Sequence, residues 1–558
     1  MRRFFRILLL AASSLLAVAL LLFAVGCWLY LTSDYREPNI EIDQSSYTVT
    51  MQGNSCRVCG KNSVVRNDYG LWEVYLEGSP SDRGAAYGAL CEDILKYQEK
   101  VFVDQIHELV PSERWVRFLH KLIGIFNRNM ASHVPEEYRE EIFSFSTFCS
   151  HEYDAYGTPY ARQLNYHAAH DIGHALQEYM LVGCSSFAAW GGMSEGGKLT
   201  VARNFDFYVG DAFAENKIVL FVEPDSGYRF ASVTWPGMVG VLSGMNERGL
   251  TVSINAAKGA IPTSSAMPIS LLTRQILQYA ANIDEAYEIA SSYKTFVSES
   301  ILIGSAADGC AAVIEKTPEK IALYRADGEY LISTNHYQSE LFADDEYNVE
   351  NIATSDSPYR YERLEELVGR MAPIDCADAV SIMRDWRGRK DADIGVTNEK
   401  SLNQFIAHHS VVFSPDDLKM WVSTSPWQLG AYVCYDLNEI FALEEAPRGS
   451  MIECEEIISA DSVALEKIYP RVVKYREQSR AIRQAIDRGE MLPQEFVEEF
   501  IANNPNLFRT YELAGDYMLS VGDEVHALEM WRAALDREIP RRGERESIES
   551  KIEEHDKE

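Results

Sequence analysis

The sequence predicts an α+β fold, a four-layer αββα sandwich with an N-terminal transmembrane segment and a C-terminal helical appendage. Three observations carry this expectation. From about residue 184 to 436, short apolar runs are punctuated by Gly, Pro or Asn-Glu-Arg-Gly, as in antiparallel strands. Amphipathic stretches such as Tyr359 to Met371 and Asp375 to Asp385 supply helices for the outer faces of two packed sheets. Beyond Pro447 the chain turns charged and glycine-poor, which marks a separate helical region.

Four regions follow. Residues 1–33 read as a membrane anchor or signal, because Arg2, Arg3 and Arg6 precede an apolar run from Ile7 to Leu31. That run exceeds the roughly 20 residues that cross a bilayer core. A basic flank stays in the cytoplasm, so the rest of the chain is expected outside it, at the periplasm or cell surface or secreted. A cleaved signal peptide, or a lipoprotein modified at Cys27, are competing readings. Residues 34–183 read as an N-terminal helical segment. It opens with an isolated strand near Tyr47 to Met51 and an alternating strand over Leu71 to Glu77. A helix from Arg83 to about Val103 follows, capped by Ser81 or Asp82, with Gly84 and Gly88 on one face allowing close approach. Further helices are expected over Ser112 to Arg128, Pro135 to Ser146 and Thr158 to Met180.

Residues 184–447 read as the catalytic core. Strands are expected over Lys217 to Glu223, Arg229 to Trp235, Val239 to Met245, Gly249 to Asn255, Ser300 to Ser305, Cys310 to Lys316, Lys320 to Arg325 and Tyr330 to Asn335. Pro268 to Ala281 and Ile283 to Ser292 read as helices, and strands close the core over Phe405 to Phe413, Lys419 to Ser423 and Ala431 to Asp436. Residues 448–558 read as a helical tail. Tyr511, Gly515, Ala527, Trp531 and Ala534 have the spacing of one tetratricopeptide-like unit, which admits a protein partner at the tail.

Composition narrows the function. Of 558 residues, 84 are acidic and 52 basic, a formal charge of -32, which argues against a nucleic-acid partner. The Cys56-Arg57-Val58-Cys59 pair has no second CxxC to complete a zinc site, so a small local disulfide is the expected reading. His170 and His174 share a helix face as a metal pair would, but Asp171 replaces the glutamate of the zincin pattern. No metal or cofactor is expected.

The chemistry concentrates in one hairpin. Gly183-Cys184-Ser185-Ser186-Phe187 and Arg203-Asn204-Phe205-Asp206 flank a glycine-rich turn around Ser194 and Glu195. Pairing about that turn makes partner numbers sum to about 389, which sets Cys184 beside Phe205 with Arg203 and Asp206 close by. A nearby cation favours the thiolate, the nucleophilic form. A buried cysteine with a structural Arg–Asp pair is the competing reading of these residues.

These motifs resemble the N-terminal-nucleophile hydrolases of the acyl-coenzyme A:6-aminopenicillanate acyltransferase and choloylglycine hydrolase group. The resemblance extends to Glu77-Gly78-Ser79-Pro80, Met245-Asn246-Glu247-Arg248-Gly249-Leu250 leading to Asn255, Ser333-Thr334-Asn335-His336 and Ser357-Pro358-Tyr359-Arg360. It covers roughly residues 70 to 440. It implies self-cleavage between Gly183 and Cys184, after which the freed α-amine serves as base for the thiol. It further implies that Asp206 orients the amine and Arg203 holds the thiolate. Asn255 and Asn335 would then donate to the oxyanion, and Arg360, or Arg363 one turn on, completes the polar network. The implied substrate is a small-molecule acyl amide or a lipid, cleaved or transferred through a Cys184 acyl-enzyme. Phospholipase B-like lipid deacylation, and an inactive scaffold binding partners through its tail, are the alternatives. A papain-like pairing of Cys184 with His336, His408 or His409 would leave the Arg203–Asp206 segment without a purpose.

Overall fold

The computed structural model describes residues 2–31, 36–53, 55–110, 112–169, 171 and 181–556. Two β-sheets form its centre. One has eleven strands, running from the edge strand Thr50–Gln52 to Ile321–Tyr324. Its pairings are antiparallel except where Trp72–Gly78 lies parallel to Ile218–Pro224. The other has seven strands, in the order Tyr330–Ser333, Leu181–Gly191, Gly197–Tyr208, Ala407–Ser414, Lys419–Ser423, Tyr432–Asp436 and Glu453–Ile458.

Strand alternation divides the buried side chains into three layers. Val219 and Phe221 of the larger sheet meet Ala188 and Val201 of the smaller one between the sheets. The alternate residues Leu220 and Val222 turn outward onto Tyr87, Leu90, Ile142 and Leu272 of covering helices. On the opposite side Phe187 and Ala202 pack against Leu364, Leu367, Val380 and Met383, from the helices Ser357–Met371 and Cys376–Met383. The order is helix, sheet, sheet, helix, as the strand-and-helix pattern predicts.

The helix Pro80–Leu109 begins where Ser79 accepts a hydrogen bond from the Asp82 amide at 3.3 Å, so the cap lies earlier than Ser81. A Cβ at Gly84 would strike the Glu141 carbonyl and one at Gly88 the Phe148 ring, so both glycines admit the helix Glu136–Ser146 at close range.

Several boundaries differ from expectation. The segment 34–183 is not only helical: four strands between Thr50 and Gly78 extend the larger sheet. The tail contributes the strand Glu453–Ile458 to the smaller sheet, so the core runs past residue 447. Val239 to Met245 yields a strand only over Ser243–Asn246. The helix expected over Thr158 to Met180 is Pro159–His167; His170 and His174 lie outside the described residues. The CxxC disulfide is a misreading. Cys56 and Cys59 are free thiols on one extended strand, where a separation of three residues spans about 10 Å, too far for a disulfide.

Residues 2–31 are helical, but among the described residues no helix is long and apolar enough to cross a membrane. The expected transmembrane segment is therefore not supported.

Five helices between Tyr469 and His555 form the tail, which is docked on the core. Val472 packs with Val396, Phe405 and Leu429. Asn504 accepts from the Val396 amide at 3.1 Å and donates to its carbonyl at 3.0 Å.

Candidate active site

The hairpin register is the one derived from the turn. Cys184 pairs with Phe205, Ser186 with Arg203 and Gly183 with Asp206; the single irregularity lies near the turn, between Ala189 and Gly191. Side chains of paired residues share a face, and successive residues alternate. Cys184, Ser186, Arg203 and Phe205 therefore face the larger sheet, and Gly183 and Asp206 face the covering helices.

Cys184 is fully buried and held at three atoms. Its amide donates to Asn335 Oδ1 at 3.0 Å, its carbonyl accepts from Arg360 Nη1 at 2.5 Å, and its Sγ lies 3.6 Å from Arg203 Nη2. Burial raises the thiol pKa and outweighs the lowering by Arg203, so in the intact chain the sulfur is protonated. The thiolate expected from the arginine alone does not form in this state.

Arg203 is buried over the Phe205 ring at 4.4 Å. It donates to the Leu242 carbonyl at 2.7 Å and also to Ser243 Oγ and the Ile254 carbonyl. These contacts fix the guanidinium from the strand side and leave one edge at the sulfur. Asp206 is also fully buried, and among the described residues neither of its carboxylate oxygens has a hydrogen-bond partner. Desolvation raises its pKa to about 8, against the pull of Arg360 and Arg203.

Arg360 joins the elements. Its Nε donates to Asp356 Oδ2 at 2.7 Å, Nη1 to Ser185 Oγ at 3.0 Å and Nη2 to Asn335 Oδ1 at 2.7 Å. Arg363 instead donates to Asp385 and Asp391, away from the cysteine. Of the two arginines on this helix, Arg360 is the one in the site.

Both candidate oxyanion donors are engaged in the intact chain. Asn335 Nδ2 donates to the Ala256 carbonyl at 2.8 Å. Asn255 Nδ2 donates to Ser186 Oγ at 2.7 Å and to the Ser333 carbonyl at 3.0 Å. His336 bonds Ser357 Oγ at 2.8 Å and is kept neutral by burial, with a pKa of about 4. No histidine hydrogen-bonds Cys184 among the described residues.

Sequence reading did not single out Ser243, Asp356 or Gln404, and it gave Ser186 no role of its own. Asp356 precedes Arg360 by four residues on one helix, a spacing that pairs carboxylate with guanidinium, so that signal was available. Gln404 was not legible: it comes from a distant loop and lies against Gly183, where a Cβ would sit 2.8 Å from its Nε2.

Residues 193–425 match the family described as acyl-coenzyme A:6-aminopenicillanic acid acyl-transferase. That stretch, less than half of the chain, is thus similar to the group that the motifs resemble. The match takes in Arg203, Asp206, Asn255, Asn335 and Arg360 and begins after Cys184. Two curated relatives are similar. An uncharacterized protein of Archaeoglobus fulgidus is 25% identical over 338 residues, 54% of this chain and 55% of that one. Protein dcd1B of Dictyostelium discoideum is 23% identical over 271 residues, 45% of this chain and 51% of that one. The chain therefore spans about half the length of the curated relatives it matches.

Among solved structures, a Caenorhabditis elegans N-acylethanolamine-hydrolyzing acid amidase ortholog is similar at TM-score 0.31 and 18% identity, over 42% of this chain and 93% of that one. A cysteine-to-alanine mutant of the Clostridium perfringens conjugated bile acid hydrolase is similar at TM-score 0.32 and 14% identity, over 46% and 93%. Scores this low leave the fold argument resting on the strands and helices described above.

Proposed function

We propose that this chain is an autoprocessing cysteine hydrolase or acyltransferase that acts on amide bonds through a Cys184 acyl-enzyme. The observation that carries the proposal is the buried Asp206 carboxylate, without a hydrogen-bond partner among the described residues, directly across the strand pair from Gly183. A buried carboxylate without a partner is costly, and a cation released beside it would offset that cost. Cleavage of the Gly183–Cys184 bond supplies such a cation, the new α-ammonium of Cys184.

In the first stage Cys184 Sγ attacks the Gly183 carbonyl carbon. The C–N bond breaks, the nitrogen takes a proton to become the free amine, and a thioester to Gly183 remains. Water then cleaves the thioester, leaving a Gly183 carboxylate and a free thiol. In the second stage the amine, whose pKa is ordinarily about 7.7–8.0, accepts the thiol proton as Sγ attacks an amide carbonyl. It then gives that proton to the departing amine. Asp206 orients the amine, Arg203 stays on the sulfur, and Arg360 fixes the Cys184 carbonyl. Asn335 Nδ2, turned from the Ala256 carbonyl, and Asn255 Nδ2, turned from Ser186 and Ser333, donate to the oxyanion. Water or an acceptor amine releases the acyl group.

The acyl group is apolar in this reading. Phe102, Phe207, Phe213, Trp235 and Met238 line a small cavity, and Phe207 is the strand partner of Val182. The test is turnover of N-acyl amides by the wild-type protein and by Cys184→Ala; equal rates for the two would overturn the proposal.

The catalytic part is also proposed to lie outside the cytoplasm, on the basic-then-apolar order of Arg2, Arg3 and Arg6 ahead of Ile7 to Leu31. Cell fractionation against a cytoplasmic marker tests this, since recovery with the cytoplasmic fraction would overturn it.

A further inference from the structure

A second cavity, of about 450 Å³, lies between the core and the tail. The helix Tyr469–Arg488 forms one wall, and the strand ends at Tyr208 and His408 and the loop at Trp427 form others. Two polar groups at its inner end are unusual. Lys217 is 5% exposed, and its Nζ donates to the Ser423 carbonyl at 2.8 Å and to Ser423 Oγ at 3.4 Å. Among the described residues no carboxylate lies within ion-pair distance of it. His408 is 1% exposed, and its Nε2 has no hydrogen-bond partner among the described residues.

A buried ammonium without a counter-ion and a buried ring nitrogen without a partner are each destabilising. The carboxylates nearer the mouth do not offset them. Asp211 is paired with Arg476 at 3.1 Å, Glu215 accepts from Tyr97 at 2.6 Å, and Glu477, the third carboxylate lining the cavity, forms no ion pair with Lys217 among the described residues. Burial lowers the Lys217 pKa to about 7 and holds both His408 and His409 neutral. One anion with two oxygens would serve both groups.

We propose that the Lys217–His408 end of this cavity binds the carboxylate of a small organic acid. One oxygen accepts from Lys217 Nζ and the other from His408 Nε2–H. The rest of the ligand extends toward Trp427, over which Arg476 is stacked at 4.6 Å.

The same contact reaches the nucleophile. His408 Nδ1 lies 3.0 Å from His409 Nδ1, and His409 Nε2 lies 2.7 Å from Ser243 Oγ, which accepts from Arg203. A carboxylate at His408 requires the proton on Nε2, so Nδ1 must accept from His409 Nδ1–H. His409 Nε2 then accepts from the Ser243 hydroxyl, whose oxygen stays an acceptor for Arg203. Binding thus selects one direction for the whole chain of bonds up to the guanidinium beside Cys184 Sγ. The carboxylate is either the acid end of the substrate or a separate effector.

Binding is measured on the full chain carrying Cys184→Ala, so it does not depend on the catalytic proposal. Benzoate and neutral benzamide serve as probes, read by calorimetry and by the thermal midpoint. Benzoate is expected to bind and to raise the midpoint, and benzamide is not. Lys217→Met is expected to weaken benzoate about tenfold or more, the loss of one charge-assisted hydrogen bond, and Lys217→Arg to retain most of it. If Lys217→Met does not fold, carboxyl-labelled benzoate observed by NMR on the unaltered cavity gives the same answer through its shift on binding. Equal effects of benzoate and benzamide, or the absence of any benzoate signal at millimolar concentration, would overturn the proposal. Benzoate that raises KM for N-acyl amide turnover by the wild-type protein without changing kcat assigns the site to the acid end of a substrate; benzoate that changes kcat assigns it to an effector.

Discussion

Asp206 sits directly across the strand pair from Gly183, and both of its carboxylate oxygens are buried without a partner among the described residues. Everything proposed about activation follows from that pair, because breaking the bond after Gly183 delivers a positive charge to the buried carboxylate of the hairpin.

The first prediction concerns pH and stability in the uncleaved state. The Asp206 pKa is raised from 3.8 to about 8, so between those values the folded chain binds a proton that the unfolded chain does not. That contribution is fully present below the unfolded value and is lost as pH rises through about 8, so stability falls across this window. In a Cys184→Ala background, Asp206→Asn should flatten the decline by a few kcal/mol, on the order expected for such a shift. Urea midpoints at pH 5 and pH 8 with and without Asp206→Asn check this; an undiminished decline would contradict the assignment.

A second prediction separates the two arginines of one helix. Arg360→Met removes the bond to the Cys184 carbonyl and strands Asp356, so processing and activity should both be lost. Arg363→Met strands Asp385 instead. It should cost stability, about 3–5 kcal/mol as for other broken buried pairs, while the folded fraction still processes. Denaturation curves alongside gel-resolved processing distinguish the two.

Gly183 gives a third. A side chain there meets Gln404 Nε2, so Gly183→Val should slow processing, and Gln404→Ala in the same chain should restore part of the rate. Time courses of fragment appearance measure both. A rate for Gly183→Val equal to wild type would show that the strand has room to shift.

Much of this was legible because the key pairing is local. The turn fixed the register that brings Cys184 to Phe205 and Arg203 to Ser186, and period-two alternation then fixed the faces. The late Arg360 could be reached from its motif, but choosing it over Arg363 required knowing which helix face meets the sheet. The protonated state of Cys184 was not legible, since it depends on complete burial by residues far along the chain. Neither was the engagement of Asn255 with Ser186 and Ser333, which lie on separate strands. The strand that the tail adds to the smaller sheet was hidden by its charge: Glu453, Glu455 and Glu456 mask an edge strand in sequence.

The central claim is that the chain cuts itself before Cys184. Intact-mass analysis of the purified protein tests it most directly. The account predicts two fragments, one ending at Gly183 and one beginning at Cys184, with a single uncut chain for Cys184→Ala. An uncut wild-type chain that still turns over an N-acyl amide, or a cut that persists in Cys184→Ala, would contradict it.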